Sequence, residues 1–387
     1  MDYFLTEEQE MIRDLARRIA EERIKPQAAE LDESETFPKE IMQTIAESDL
    51  FGVYIDEEHG GLGMGVFEKC LVIEELSKAC TGVSVTLAAS GLATYPIVLF
   101  GTEKQKEQYL PDLASGEKLG AFALTEAEAG SDAANIKTTA VEDGEDYIIN
   151  GTKQWITNGG EADVYVVITM TDPNKGVRGA TAFIVDHDNP GIHFGKKEKK
   201  MGIRASATRE VIFEDCRVSR HQMLGRKGMG FVVTMKTLDI TRLGVGAQAV
   251  GIAQGALNEA LAFARERVQF GKTISSFQAV QHMLADMATQ TEAARSLVYN
   301  AAKMIDGGAK DYSKESAMAK LFASDTAMKV ATDAVQVMGG SGYMRDYPVE
   351  KMMRDAKITQ IYEGTNQILR NVIGLDLVKD SRKKTKR

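Results

Sequence analysis

Val164-Tyr165-Val166-Val167-Ile168 is a run of β-branched and aromatic side chains, too short for a helix and too uniform for a loop. Similar runs lie on both sides of it: Tyr147-Ile148-Ile149, Thr181-Ala182-Phe183-Ile184-Val185 and Val211-Ile212-Phe213. Between them stand Asp143-Gly144, Asn150-Gly151 and Asn158-Gly159-Gly160, residue types that accept turn backbone at little cost. The stretch from Lys118 to about Leu224 therefore reads as one small all-β region, a barrel or a sandwich.

Outward from this region the apolar period changes from two to three and four. Upstream, Thr6 and Gln9 form a capping box behind Leu5, and Met11, Ile12, Leu15 and Ile19 make one apolar stripe. Pro26 closes that helix or lies just past it, and Pro38 opens another that carries Ile41, Met42 and Ile45. Helices are expected over 66–80, 84–100 and 103–113. The glycine run Gly60-Gly61-Leu62-Gly63-Met64-Gly65 has neither a preceding strand nor a following Gly-Lys-Thr/Ser, so it reads as a flexible loop rather than a phosphate cradle. Downstream, 249–268, 277–305 and 313–338 lack internal prolines and have the length of bundle helices. Helices, strands, then helices predict an α+β multidomain chain: an all-α region over 1–117, a β region over 118–227 and a helical bundle over 228–387. The absence of βαβ alternation argues against a doubly wound nucleotide fold.

The chain has 387 residues, is 43% hydrophobic and carries a formal net charge of -9. That balance argues against general nucleic-acid binding, which needs a basic face. The tail Arg382-Lys383-Lys384-Thr385-Lys386-Arg387 is the exception, and reads as a solvated, disordered end. Cys70, Cys80 and Cys216 form no C-x-x-C pair, and His187 between Asp186 and Asp188 reads as loop, so no metal is expected. No apolar run is expected to reach the length of a membrane span, and the acidic start (Asp2, Glu7, Glu8, Glu10) fits no targeting peptide, which makes a cytoplasmic protein the expectation, with a processed organellar chain the alternative.

Chemistry concentrates in a few segments. In Ile361-Tyr362-Glu363-Gly364-Thr365-Asn366-Gln367, a carboxylate sits among apolar neighbours where a helix starts, with Thr365 as N-cap. Burial raises a carboxyl pKa, which suits a base for a weakly acidic C–H proton. In the β region, Phe122-Ala123-Leu124-Thr125-Glu126 leads to Ala129-Gly130-Ser131-Asp132. Gln154-Trp155-Ile156-Thr157-Asn158 holds the only tryptophan, a ring able to stack on a flat heterocycle such as a flavin beside hydroxyl donors. Arg267-Val268-Gln269-Phe270-Gly271-Lys272 ends one long helix and offers an arginine to a pyrophosphate. Gln336-Val337-Met338-Gly339-Gly340 ends another, where the glycines either cap the helix or let a cofactor approach. Asp239 and Arg242 are spaced for a local ion pair.

Together these segments resemble the acyl-CoA dehydrogenase family over nearly the whole chain, to about Val378. The likeness implies that family's fold: an N-terminal all-α domain, a middle β domain and a C-terminal four-helix bundle. It implies FAD as cofactor and oxidation of the α,β bond of an acyl-CoA thioester, with Glu363 taking the α-proton while a hydride leaves for the flavin. It implies cofactor contacts from Phe122, Leu124, Thr125, Gly130, Ser131, Trp155, Ile156, Thr157, Thr365 and Gln367. Arg267, Phe270, Gln278, Gln336, Gly339 and Gly340 would reach the FAD of a neighbouring subunit in a homotetramer built as a dimer of dimers. Ser131, Asp239, Arg242 and Gly364 would meet the CoA ester, and an electron-transfer flavoprotein would take the electrons.

Some relatives place the base beside the arginine of the Asp239–Arg242 helix; here that neighbour is Thr241, which leaves Glu363. Glutaryl-CoA relatives use an arginine on the fourth helix, whereas no Arg or Lys lies between Thr81 and Tyr95. A neutral, short- or medium-chain acyl group, linear, branched or cyclic, is therefore expected. A flavin oxidase, or a non-catalytic nucleic-acid-binding relative, is the alternative.

Overall fold

The computed structural model describes residues 3–384. Thr6 caps α1 (Glu7–Ile19): Thr6 Oγ1 accepts from Gln9 N at 3.2 Å, and Gln9 Oε1 accepts from Thr6 N at 3.0 Å. Ile12, Ala16 and Ile19 form its buried stripe, while Met11 faces solvent. A π-turn and a 3-10 turn containing Pro26 lead into α2 (Ala28–Ser34), and Pro38 caps α3 (Lys39–Ala46). Next come α4 (Val66–Ala79), α5 (Thr81–Phe100) and α6 (Glu103–Ser115).

The glycine loop before α4 is tightly held rather than loose. Leu62 N, Gly63 N and Met64 N donate to the carbonyls of Gly52, Ile55 and Val53, and a Cβ on Gly61 would fall 2.0 Å from the Ile55 carbonyl oxygen. Helix α5 corrects a second expectation. Its 20 residues, with a mean hydropathy of 1.7 over an 18-residue window, are long and apolar enough to cross a membrane. Most of them are buried, packed against α4, α7 and the first strand, so this is a core helix.

The strands are β1 (Gly120–Ala123), β2 (Thr139–Asp143), β3 (Asp146–Thr157), β4 (Val164–Met170), β5 (Ala180–Asp186), β6 (Ile192–Phe194), β7 (Thr208–Ser219) and β8 (Met223–Leu224). They form one mixed sheet in the order β6-β7-β3-β2-β4-β5-β8, with β1 parallel to β4. The sheet curls on itself. Tyr147 of β3 meets Phe183 of β5 at 4.9 Å between ring centroids, although two strands lie between them. All of β4 is buried because it serves two cores: Val164, Val166 and Ile168 face helices α5 and α6, while Tyr165 and Val167 face the inside of the curl.

α7 (Gly230–Glu266) is followed by the small hairpin β9 (Val268–Gln269) and β10 (Lys272–Thr273). Then come α8 (Gln278–Asp306), α9 (Ser313–Met338), α10 (Val349–Thr359) and α11 (Asn366–Lys384). The helix expected from 249 begins 19 residues earlier, so Asp239 and Arg242 lie on it. Backbone helix continues into the basic tail as far as Lys384; the last three tail residues, 385–387, lie outside the described residues. One hydrophobic core joins α1–α5 to α7–α10, so the helices before and after the sheet pack as a single body.

Candidate active site

The chain between α10 and α11 is a tight turn. Tyr362 N donates to Ile358 O at 3.1 Å and Asn366 N to Gln360 O at 3.0 Å. Thr365 Oγ1 accepts from Ile368 N at 3.3 Å and caps α11. Within the turn Glu363 takes a left-handed φ of +50° and Gly364 a φ of +98°. For a glutamate this costs on the order of 1 kcal/mol and persists only where neighbours enforce it. The enforcing bonds come from α7 and α9. Arg242 Nε donates to Glu363 O at 3.0 Å, Lys320 Nζ donates to Gly364 O at 2.7 Å, and Tyr362 Oη donates to Gln248 Oε1 at 2.5 Å. Asn366 is buried, with its amide between Ser324 and Asp325.

This conformation sends the Glu363 side chain inward, where Thr241 Oγ1 donates to Oε2 at 2.7 Å. Burial pushes the Glu363 carboxyl above its ordinary range; the Thr241 bond and the charges of Arg242, Lys69 and Lys320 pull it partly back. None of these cations forms an ion pair with it. Arg242 is spent on Asp239 Oδ1 at 2.7 Å and on backbone. Burial pushes Lys320 down to about 7 and Lys69 down to about 8, while the Glu363 charge draws both upward. The result is a carboxylate with raised proton affinity that no tight salt bridge neutralises, which is what a general base requires. Among the described residues no acceptor meets the Glu363 backbone N–H, so that donor is free.

A second cluster lies on the sheet. Gln154 N donates to Thr125 O at 2.8 Å, which joins the two segments read as flavin contacts. Lys153 Nζ reaches Leu124 O at 3.0 Å and Glu126 Oε1 at 2.7 Å; Glu126 also accepts from Lys137 N and Thr138 N. Burial works to raise the Glu126 carboxyl, but the Lys153 ammonium and these bonds outweigh it and hold the group charged. Gln154 and Trp155 form a β-bulge between β3 and β7, and Trp155 has φ +56°. The bulge turns the indole out of the sheet, 58% exposed. The Thr125 and Thr157 hydroxyls have no partner among the described residues, and the Cβ side of Gly130 is open. An exposed indole beside free hydroxyls and an open glycine loop fits a flat heterocycle with a polar rim.

Other expected contacts look different in three dimensions. The side chains of Phe122 and Ile156 are buried in the two sheet cores, so only their backbone could meet a ligand. Leu124 is half-buried, and Ser131 and Gln367 are exposed. Asp239 and Arg242 are engaged with each other, with Ser313 and with the Glu363 carbonyl, so they support the turn. Arg267, Phe270, Gln278, Gln336, Gly339 and Gly340 are exposed, and Phe270 is 93% so. Because α7, α8 and α9 run up, down and up, these six gather at one end of the bundle. His187 points its Nδ1 at Ala162 O, 2.8 Å away, and stacks on Phe194.

Sequence reasoning missed Thr241, Lys320 and Lys69 as neighbours of Glu363. Lys320 left one signal, a lone charge in the small-residue stripe Ala317, Ala319, Ala323, Ala327 of α9.

The comparisons agree with this geometry. Models of the N-terminal, middle and C-terminal domains of acyl-CoA dehydrogenases match residues 6–117, 121–216 and 228–377. The acryloyl-CoA reductase (NADH) of Anaerotignum propionicum is 49% identical, covering 98% of this chain and 96% of its own. The butyryl-CoA dehydrogenase structure from Megasphaera elsdenii is 47% identical at a TM-score of 0.96, covering 98% of this chain and all of that one. A chain from a structural study of the electron transferring flavoprotein of Acidaminococcus fermentans is 52% identical at a TM-score of 0.96, covering 97% and 99%. The chain belongs to the acyl-CoA dehydrogenase family, FAD-dependent oxidoreductases that act on CH–CH bonds.

Proposed function

We propose that this enzyme dehydrogenates the α,β bond of a short- or medium-chain acyl-CoA thioester to the trans-2-enoyl-CoA, with Glu363 as the base. The observation that carries the reading is the pairing, on one residue, of a half-buried carboxylate with raised proton affinity and a free backbone N–H. The N–H donates to the thioester carbonyl, which acidifies the α-carbon, while the carboxylate takes the α-proton. Thr241 orients the carboxylate, and Arg242 and Lys320 hold the turn that aims it. Bound FAD supplies the acceptor for the hydride from the β-carbon. Trp155, Thr125, Thr157 and the Gly130–Ser131 loop hold its ring system, and Thr365 and Gln367 add contacts from the turn.

The exposed cluster at the bundle end serves a second copy of the chain. Thr241 and Arg267 lie about 39 Å apart along α7 at 1.5 Å per residue, too far for one chain to place both against one flavin. That separation supports a homo-oligomer, built as a dimer of dimers, in which Arg267, Phe270, Gln278, Gln336, Gly339 and Gly340 reach a neighbour's FAD. An electron-transfer flavoprotein takes the electrons, a reading supported by the likeness to the Acidaminococcus fermentans chain.

The test is an anaerobic titration of the yellow holoenzyme with acyl-CoA thioesters. Bleaching of the flavin by a saturated short-chain thioester is the expected result, and no bleaching by any thioester overturns the proposal. The likeness to an acryloyl-CoA reductase favours a second reading, the same site working in the reducing direction with protonated Glu363 as donor. Faster steady-state turnover of an enoyl-CoA with a reduced donor than of the saturated thioester with an acceptor would establish it.

A further inference from the structure

Four lysines are buried among the described residues: Lys69, Lys153, Lys320 and Lys351. Three have acceptors: Lys153 meets Glu126 at 2.7 Å, Lys320 meets Gly364 O at 2.7 Å and Lys351 meets Asp355 at 2.6 Å. Lys69 has none. It projects from α4, is 7% exposed, and no hydrogen-bond acceptor or carboxylate touches its Nζ among the described residues. Cation-π contacts hold the ammonium, but on a side chain this buried they leave its charge without a counter-ion.

Its surroundings point to a ligand. Nζ lies 4.4 Å from the ring centroids of both Tyr54 and Tyr95, which stack on each other at 4.3 Å. Helix α5 makes room with Gly91, where a Cβ would fall 2.4 Å from Nζ. Tyr95 adds a buried hydroxyl that also lacks a partner. The carboxylate whose charge acts on Lys69 is Glu363, and no contact joins the two. The cluster thus combines a cation, an unpartnered hydroxyl and two aromatic walls, within electrostatic reach of the base. Helix α5 carries no Lys or Arg of its own, and the cation beside it comes from α4.

We infer that Lys69 is a specificity-determining residue that receives a carboxylate at the far end of the acyl chain, so that the substrate class is the CoA monothioester of a dicarboxylic acid. This rests on the proposed function. The acyl chain lies between Glu363 and Lys69 with its α-carbon at the base, and its terminal carboxylate supplies the counter-charge that the protein does not. The aromatic walls exclude water from that pair and strengthen it.

The experiment titrates holoenzyme anaerobically with glutaryl-CoA, adipyl-CoA and pentanoyl-CoA, reading flavin absorbance for both affinity and reduction. Wild type is expected to bind one of the two carboxylated thioesters at least tenfold more tightly than pentanoyl-CoA. That preference should fade above about pH 8, where Lys69 loses its proton, while pentanoyl-CoA binding stays level. Lys69→Met should abolish the preference; Lys69→Arg, which keeps the charge, should retain part of it. FAD content and melting temperature of both variants show whether they fold, and the wild-type panel decides the matter without them. Reduction by pentanoyl-CoA with no binding of either carboxylated thioester overturns this inference and spares the proposed function. Reduction by none of the three, nor by other thioesters, overturns both. An unchanged preference in folded Lys69→Met also overturns it.

Discussion

Thr241 Oγ1 stands 2.7 Å from Glu363 Oε2, and the next residue, Arg242, holds the Glu363 carbonyl at 3.0 Å. Adjacent positions on α7 therefore grip the two ends of the proposed base, one setting its backbone and the other its carboxylate. A hydrogen bond to a charged group is worth about 1.5–3 kcal/mol. Thr241→Val removes the bond that favours the charged form, so the Glu363 pKa should rise further. The acid limb of kcat/KM is expected to move up by about one pH unit, since about 1.4 kcal/mol equals one unit. Thr241→Ser should restore it. A pH–rate profile identical to wild type would show that the bond does not tune the base.

Glu363→Gln should keep FAD yet lose turnover by roughly 10²–10⁴-fold, because an amide cannot accept the proton. It should also stabilise the fold at neutral pH. The folded carboxyl pKa is raised, so the unfolded chain loses its proton first, and wild-type stability falls as pH rises through the folded value. The gain in melting temperature for the variant should be present at pH 7 and shrink as pH falls towards 4. A variant melting below wild type at pH 7 would contradict this.

Lys320 makes the opposite case. Its amine is lowered to about 7 while an unfolded lysine titrates near the ordinary 10.5, so between those values the unfolded chain binds the extra proton. Stability from this group therefore rises with pH across that window. Lys320→Met loses the bonds to Gly364 O and Asn366. Its deficit in melting temperature relative to wild type should be larger at pH 9 than at pH 7. Thermal melts at the two values check this, and a deficit independent of pH would refute it.

Lys153 and Glu126 clip the Leu124–Glu126 loop beneath Trp155. Lys153→Met leaves a buried carboxylate without its cation, a change that costs about 3–5 kcal/mol. The expected outcome is a lower melting temperature together with faster FAD loss, because the loop carries Thr125. Denaturant melts with flavin fluorescence separate the two effects. A destabilised variant that keeps FAD as well as wild type would detach the clip from the cofactor.

Periodicity alone determined much of this molecule. Five apolar residues at 164–168 and their turn-flanked neighbours could only be strands, and the long apolar repeats around them could only be helices. The capping signals at Thr6 and Thr365 placed two helix starts to the residue. Local chemistry made Glu363 a candidate base beside the plainer reading of a loop glutamate at a helix start, and the resemblance of the other segments to the family selected it. What the order of residues does not carry is distance across the fold. Thr241 bonds Glu363 and the charges of Lys320 and Lys69 act on it from two further helices, at separations of 122, 43 and 294 positions, and only the packing of α4, α7, α9 and the turn into one core brings them together. Packing on the two faces of the sheet turned Phe122 and Ile156 inward, and the helix core engaged Arg242 with backbone. That core also left a lysine on α4 buried without a counter-charge, because a helix presents its side chains to whatever packs against it, and sequence alone does not say what that is.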